Sequence, residues 1–270
     1  MADDGVEYGQ RPFTAPPGAT EVLLVRHGQT AASRPGEPFA LVDGQGDPPL
    51  TELGHWQSEQ VALRLAPTPI DAVYVTTLRR TAQTAAPLLA RLGLEPVVEA
   101  DLREIHLGEW EGGVFREKVA NRDPAFLEVE RTGDWGAIPG AETFAQLRTR
   151  VVAALERIHA AHPGGRIVAV SHGGAIGAAL SDATGANPMA LSSADNGSIN
   201  HLVLLGERWI LRRYNDTGHL GGELSVRADA EFLMDGIEIL SVLAPKGARK
   251  EPERIEVIGT PRRDDEPLVT

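Results

Sequence analysis

Two short runs of this chain share one grammar, and together they limit what it can fold into. Val22-Leu23-Leu24-Val25 is followed at once by Arg26-His27-Gly28-Gln29-Thr30, and Ile167-Val168-Ala169-Val170 by Ser171-His172-Gly173-Gly174. Each apolar run is too short for a helix, is partly β-branched and is bounded by glycine, so each reads as a strand buried on both faces. Such strands belong to α/β sheets, in which ligands bind outside the carboxyl ends of the strands. Arg26 and His27 are therefore expected at the mouth of a site, with Gly28 admitting a close backbone approach. A strand-end histidine also occurs as a satisfied structural group, and one run alone does not decide between the two roles. The same His-Gly step at two strand ends points to one site served by neighbouring strands.

Composition narrows the class of protein. At 270 residues the chain suits one large α/β domain or two small ones. Its 26 basic and 38 acidic side chains give a formal net charge of -12, which argues against non-specific binding to nucleic acid or an anionic membrane. An anionic substrate stays open, because local arginines override the global field. Cysteine is absent, which removes disulfides, thiolate zinc sites and thiol catalysis. The start, Met1-Ala2-Asp3-Asp4-Gly5, has no basic and apolar leader pattern, and no apolar run nears the roughly 20 residues that cross a bilayer. A cytoplasmic protein is expected.

In chain order, residues 1–20 carry Pro12, Pro16, Pro17 and Gly18 and read as a loose arm. Residues 31–49 are loop chemistry, placed to line a pocket or to serve as a plain surface connection. Thr51 is a candidate N-cap, and Leu53, Trp56, Gln60, Val61, Leu63 and Leu65 mark the expected inner face of the helix behind it; His55 is expected to be exposed. A strand over 70–75, a helix from Thr76 to about Leu92 and a short strand over 96–99 follow. Residues 113–140 read as a helical insertion over the site. Phe144, Leu147, Val151, Val152, Leu155 and Ile158 keep the 3.6-residue period of a long helix, with His159 and His162 expected to be exposed at its end. After the second histidine run come a helix to about Ala183 and a hairpin over 199–205 and 208–214 joined at Gly206-Glu207. Residues 232–243 are expected to be a short helix, and 245–270 a flexible tail.

Several motifs line up in order. They are Arg26-His27-Gly28; Leu50-Thr51-x-x-Gly54-x-x-Gln57; Thr76-x-Leu78-x-Arg80-Thr81-x-x-Thr84; Leu102-x-Glu104-x-x-x-Gly108-x-Trp110-Glu111-Gly112; and the later Ser171-His172-Gly173. Arg-His-Gly alone is weak, but this ordered set is specific. It resembles the histidine phosphatase superfamily, the phosphoglycerate mutase-like proteins, over about residues 20–217. Thr76 and Thr81 stand where that family usually has Ser and Ala. The resemblance implies a three-layer α/β/α sandwich with a mostly parallel central sheet. It implies an arm over 1–20, a histidine phosphatase domain over 21–217 and an extension over 218–270. It also implies that Arg80 binds phosphate and that Glu104 is the acid/base. Arg80 would lie in the first turn of a helix, where the dipole already favours an anion. Arg79 reads as a solvated surface group, Glu109 and Glu111 as turn or surface residues and Trp110 as core, while His106 is left without a role.

Assembled, these residues fit phosphoryl chemistry, in which catalysis is mostly positioning and charge stabilisation. Arg26 and Arg80 suit forked contacts to phosphoryl oxygens. Gly28, Gln29, Thr30 and Gly173 join the expected phosphate-binding set. His172 is expected to be a further donor when protonated, His27 the nucleophile that forms a phosphohistidine, and Glu104 the acid for the leaving oxygen and then the base for water. No metal or cofactor is implied, because arginines supply the charge. The expected partner is a small phosphomonoester, and a homodimer is compatible with this reading. The nearest rival is a cofactor-dependent phosphoglycerate mutase, whose motifs Ala31-Ala32-Ser33 and Glu104-Ile105-His106-Leu107-Gly108 depart from. A non-catalytic phospho-ligand module would have no need of Glu104 beside His27. A metallohydrolase lacks the usual histidine spacings.

Overall fold

The computed structural model describes residues 9–221. Expectations for 222–270, including the helix over 232–243 and the tail, lie outside the described residues.

The chain runs β1 (Thr20–Arg26), β2 (Leu41–Val42), β3 (Gln45–Gly46), α1 (Glu52–Leu65), β4 (Ala72–Val75), α2 (Arg79–Leu92) and β5 (Pro96–Val98). Then come α3 (Val114–Ala120), α4 (Pro124–Thr132), α5 (Phe144–Ala161), β6 (Arg166–Ser171), α6 (Gly173–Thr184), β7 (Ile199–Leu205) and β8 (Arg208–Asp216). The main sheet has the order β5-β4-β6-β1-β7-β8. Its first four strands are parallel, and the hairpin β7–β8 is added antiparallel to β1. The expected three layers follow from the pleat. Val22, Leu24, Ile167 and Ala169 point to one face and pack with Leu147, Val151, Leu155 and Ile158 of α5 and with α6. Leu23, Val25, Val168 and Val170 point to the other face and pack with Val61, Ala62 and Leu65 of α1 and Ala85 and Leu88 of α2.

The chain leaves β1 for β4 on one side of the sheet and leaves β6 for β7 on the other. That divergence opens a crevice between the two central strands, the place where open α/β sheets bind ligands. Register completes the arrangement. Arg26 pairs with Ser171, so His27 and His172 are each the next residue beyond the last paired rung.

Helix α1 departs from the expected face. Thr51 caps it, accepting from the Gly54 amide, but Leu53, Trp56 and Leu63 are 46%, 45% and 52% exposed. The buried row is Gly54, Ser58, Val61, Ala62 and Leu65. Small residues at 54 and 58 let the helix start press against the loop after β1. A Cβ on Gly54 would lie 2.1 Å from the Gln29 carbonyl oxygen, and one on Gly28 would lie 2.4 Å from the Gly54 oxygen. Glycine at 28 is therefore required by the helix packed against it.

His159 and His162 are not free surface groups as expected. The His159 ring shares a 2.7 Å hydrogen bond with the Thr20 hydroxyl, and His162 a 3.0 Å bond with Tyr74. His55 is exposed as expected. Residues 12–19 of the arm line an open cleft of about 690 Å3 with Glu21, Arg166 and His201. It sits at the amino ends of β1 and β6, away from the paired histidines. Among the described residues no helix is long and apolar enough to cross a membrane.

Candidate active site

The crevice gathers the histidines, two arginines and the glutamate into one cluster. The His27 and His172 ring centroids are 5.1 Å apart, the planes inclined by 60°. The His27 backbone is pinned from both sides: its amide donates to the Ser171 carbonyl at 3.0 Å, and its carbonyl accepts from Asn196 Nδ2 at 2.8 Å. The ring Nδ1 lies 2.8 Å from the Gly28 carbonyl oxygen. A carbonyl only accepts, so this contact assigns the proton to Nδ1 and leaves Nε2 with a lone pair.

Arg80 is buried in the first turn of α2, as expected from its motif. Its Nε donates to His172 Nδ1 at 3.2 Å, and its Nη1 to the Gly46 carbonyl at 2.9 Å. His172 Nδ1 is thus an acceptor, and its Nε2–H faces the Thr76 hydroxyl at 3.1 Å. Arg26 donates through Nη1 to the Ala194 carbonyl at 2.5 Å, while its buried Nε has no partner among the described residues. The Arg26 guanidinium lies over Gly173, where a Cβ would be 3.5 Å from Nε. Glu104 accepts from its neighbour Ile105 at 2.9 Å and from the Gly174 amide, at the start of α6, at 3.2 Å.

Burial first, and then the charges of Arg80 and Arg26, hold His27 well below the usual imidazole range. His172 is depressed in the same direction by burial and then by Arg80. A buried ring against a guanidinium disfavours the charged form, the form in which His172 is expected to act as a further donor. Arg80 is itself brought down to about 10, mainly by burial. These shifts have a consequence for stability. The unfolded histidines take up protons near pH 6.5 and the folded ones do not, so stability is full above that pH and declines as pH falls below it. The thermal midpoint, followed from pH 8 to pH 5, is expected to stay level to about pH 6.5 and then drop.

Three of the four remaining expected phosphate ligands make hydrogen bonds within the chain. The Gly28 amide donates to Thr84 at 3.0 Å, the Gln29 amide to Gln57 at 2.8 Å, and the Thr30 hydroxyl accepts from Arg116 at 2.7 Å. Sequence reasoning missed the groups that hold the cluster in place. The buried Asp47 accepts from the Arg79 amide and Nε, both at 2.8 Å, so Arg79, exposed as expected, also anchors the loop that carries Asp47. Glu111, expected as a turn or surface residue, accepts from the Gly46 and Leu107 amides. Arg150 of α5 donates to the carbonyls of Asp101, Arg103 and Glu104 and pairs with Glu142. It fixes the segment that carries Glu104. None of these contacts has a sequence period. Trp110 is core, as expected. His106 accepts from the Gly108 amide at 3.1 Å, a local turn contact. Among the described residues no group of three or more His, Asp or Glu side chains is placed to hold a metal ion.

Two imidazoles at adjacent strand ends, flanked by buried guanidiniums, define a site for phosphate chemistry on a three-layer α/β/α sheet. The family model for the histidine phosphatase superfamily, branch 1, matches residues 22–217. The chain belongs to that superfamily and is an enzyme of its phosphatase type. Its relatives include phosphoglycerate mutase-like protein 4 of Arabidopsis thaliana, 33% identical over 204 residues, covering 74% of this chain and 86% of that protein. The metal-independent phosphoserine phosphatase of the same plant is 33% identical over 205 residues, covering 74% and 83%. Among solved structures, a mycobacterial glucosyl-3-phosphoglycerate phosphatase aligns with a TM-score of 0.63 and 29% identity, over 73% of this chain and 99% of that one.

Proposed function

We propose that the chain hydrolyses small phosphomonoesters through a phosphohistidine on His27, with no metal or cofactor. The observation that carries this reading is the tautomer of His27. Its Nδ1–H is held by the Gly28 carbonyl, so Nε2 is a neutral nucleophile flanked by Arg26 and Arg80. In the first step Nε2 bonds to phosphorus as the ester P–O bond breaks, and Glu104 gives its proton to the leaving oxygen. In the second, water attacks phosphorus, its proton goes to Glu104, and the P–N bond breaks to release phosphate. Arg26 and Arg80 stabilise the phosphoryl oxygens in both steps. His172 aims Arg80 through Nδ1.

The test is phosphate release from a panel of phosphomonoesters in EDTA, with 3-phosphoglycerate interconversion followed in parallel. Release in EDTA and an acid-labile phosphoenzyme are expected. Activity lost to EDTA and restored by a divalent ion overturns the metal-free reading. Interconversion faster than release favours the mutase suggested by the name of the first plant relative.

Gly174→Ala separates stability from activity. A Cβ there would lie 2.4 Å from Glu104 Oε1, the far end of a side chain that can yield. Gly174 is the second residue of α6, where the interior preference for alanine over glycine is not fully realised, so the thermal midpoint is expected to change little. The displaced Glu104 should lower kcat by about tenfold or more, a part of what a general acid contributes.

A further inference from the structure

Behind the second histidine runs a chain of buried hydroxyls that the mechanism above does not use. Thr76 is the residue after β4, and Thr81 lies in the first turn of α2. They are 2% and 0% exposed. Thr81 stands where the superfamily usually has alanine, so its hydroxyl calls for a reason of its own. The direction of each bond is fixed from one end. The Thr81 hydroxyl lies 2.8 Å from the Leu78 carbonyl, which only accepts, so Thr81 donates there. Its two lone pairs then take the Thr76 amide and the Thr76 hydroxyl, each at 3.1 Å. The Thr76 hydroxyl thereby directs its one proton to Thr81. Its own lone pairs take the Leu78 amide at 3.3 Å and His172 Nε2 at 3.1 Å. His172 is therefore the donor in that last contact. Arg80 Nε, which only donates, imposes the same tautomer from the other nitrogen of the ring, Nδ1.

We propose that Thr81 is a positioning residue for the phosphoryl transfer: through Thr76, its hydroxyl fixes the His172 tautomer that aims Arg80. The proposal rests on the phosphatase reading and adds to it a group that sets the geometry of the buried arginine. Without the Thr81 hydroxyl the inventory of donors and acceptors no longer closes. Among the contacts described, the Thr76 proton then has only His172 Nε2 to go to, and accepting it moves the ring proton to Nδ1. There it meets the Arg80 Nε–H, donor against donor. Unsatisfied groups are costly in a buried network, so either the Thr76 bond or the Arg80 bond is given up. Arg80 keeps its second hold, from Nη1 to the Gly46 carbonyl, so its aim is loosened and the side chain is not released.

Tautomer and turnover are read on the same protein. Long-range proton–nitrogen correlation spectra of the isotope-labelled enzyme are taken at about pH 8, above the usual imidazole range. His172, identified by the loss of its signals in a His172→Asn variant, is expected with its proton on Nε2 and none on Nδ1. Thr81→Val keeps the branched shape and removes the hydroxyl. Thr81→Ala, the residue usual in the superfamily, is the second variant should the first not fold. Either should show the ring proton shifted in whole or in part to Nδ1. Its kcat/KM for p-nitrophenyl phosphate should fall by about twofold to tenfold, the net effect of one hydrogen bond. Thr81→Ser should restore both readouts. A wild-type ring protonated at Nδ1 overturns the proposal. So does an unchanged tautomer in the folded hydroxyl-free variant, whatever its activity, which would make Thr81 a packing group alone. A shifted tautomer with unchanged kcat/KM overturns it as well. If the wild-type enzyme does not hydrolyse p-nitrophenyl phosphate, the phosphatase reading itself fails, and the spectra still report the tautomer.

Discussion

Replacing His27 by alanine is expected to reduce turnover by at least about four orders of magnitude and to abolish the acid-labile phosphoenzyme. Losses of that size follow when the nucleophile of a covalent mechanism is removed. The fold should survive. His27 is held chiefly through its backbone, by Ser171 and Asn196, and those bonds do not involve the ring. The ring also carries part of the acid sensitivity, so the variant should lose less stability than the wild type between pH 7 and pH 5. Circular dichroism checks the fold, and phosphate trapping after an acid quench reads the chemistry. Labelled phosphate trapped on the variant would move the nucleophile elsewhere, with His172 the next candidate.

Glu104→Gln is expected to act through the leaving group. The amide keeps the size of the carboxyl group, and its oxygen can still accept from the Gly174 amide. What it lacks is the proton. Alkyl phosphates, whose leaving oxygen is strongly basic, should slow by about 10²–10⁴ in kcat, and aryl phosphates by far less. A plot of log kcat against leaving-group pKa reads the difference as a steeper slope in the variant. Equal slowing of both classes would transfer the acid role to another group.

How legible these features are in the sequence depends on how local their causes are. The two strand-end histidines and the β7–β8 hairpin are visible because run length, glycine placement and alternation are properties of neighbouring residues. Arg79 and Arg80 show where locality fails. Adjacent side chains on a helix point about 100° apart, so one turns to His172 and the other to Asp47, 32 positions earlier. Only the folded loop brings Asp47 there. The misjudged face of α1 has the same origin. Leucine and tryptophan spacing predicts a broad apolar contact, whereas Gly54 and Ser58 seat the helix against backbone and leave Leu53, Trp56 and Leu63 outside. Arg116 and Arg150 carry no pattern, since each is defined by the backbone carbonyls it reaches.

The pairing of Arg26 with Ser171 also sets how freely such a site can diversify. The distance between the two imidazoles is inherited from the spacing of two hydrogen-bonded strands, about 4.8 Å. Loop composition does not enter it. Glu104, Arg116 and the residues at the mouth ride on loops and short helices, which tolerate insertion and exchange. The molecule is therefore modular. Its histidine pair is locked by the sheet, while the surrounding loops and short helices can be rebuilt without moving it. An engineer seeking a new substrate would exchange residues 113–140 and leave β1 and β6 untouched.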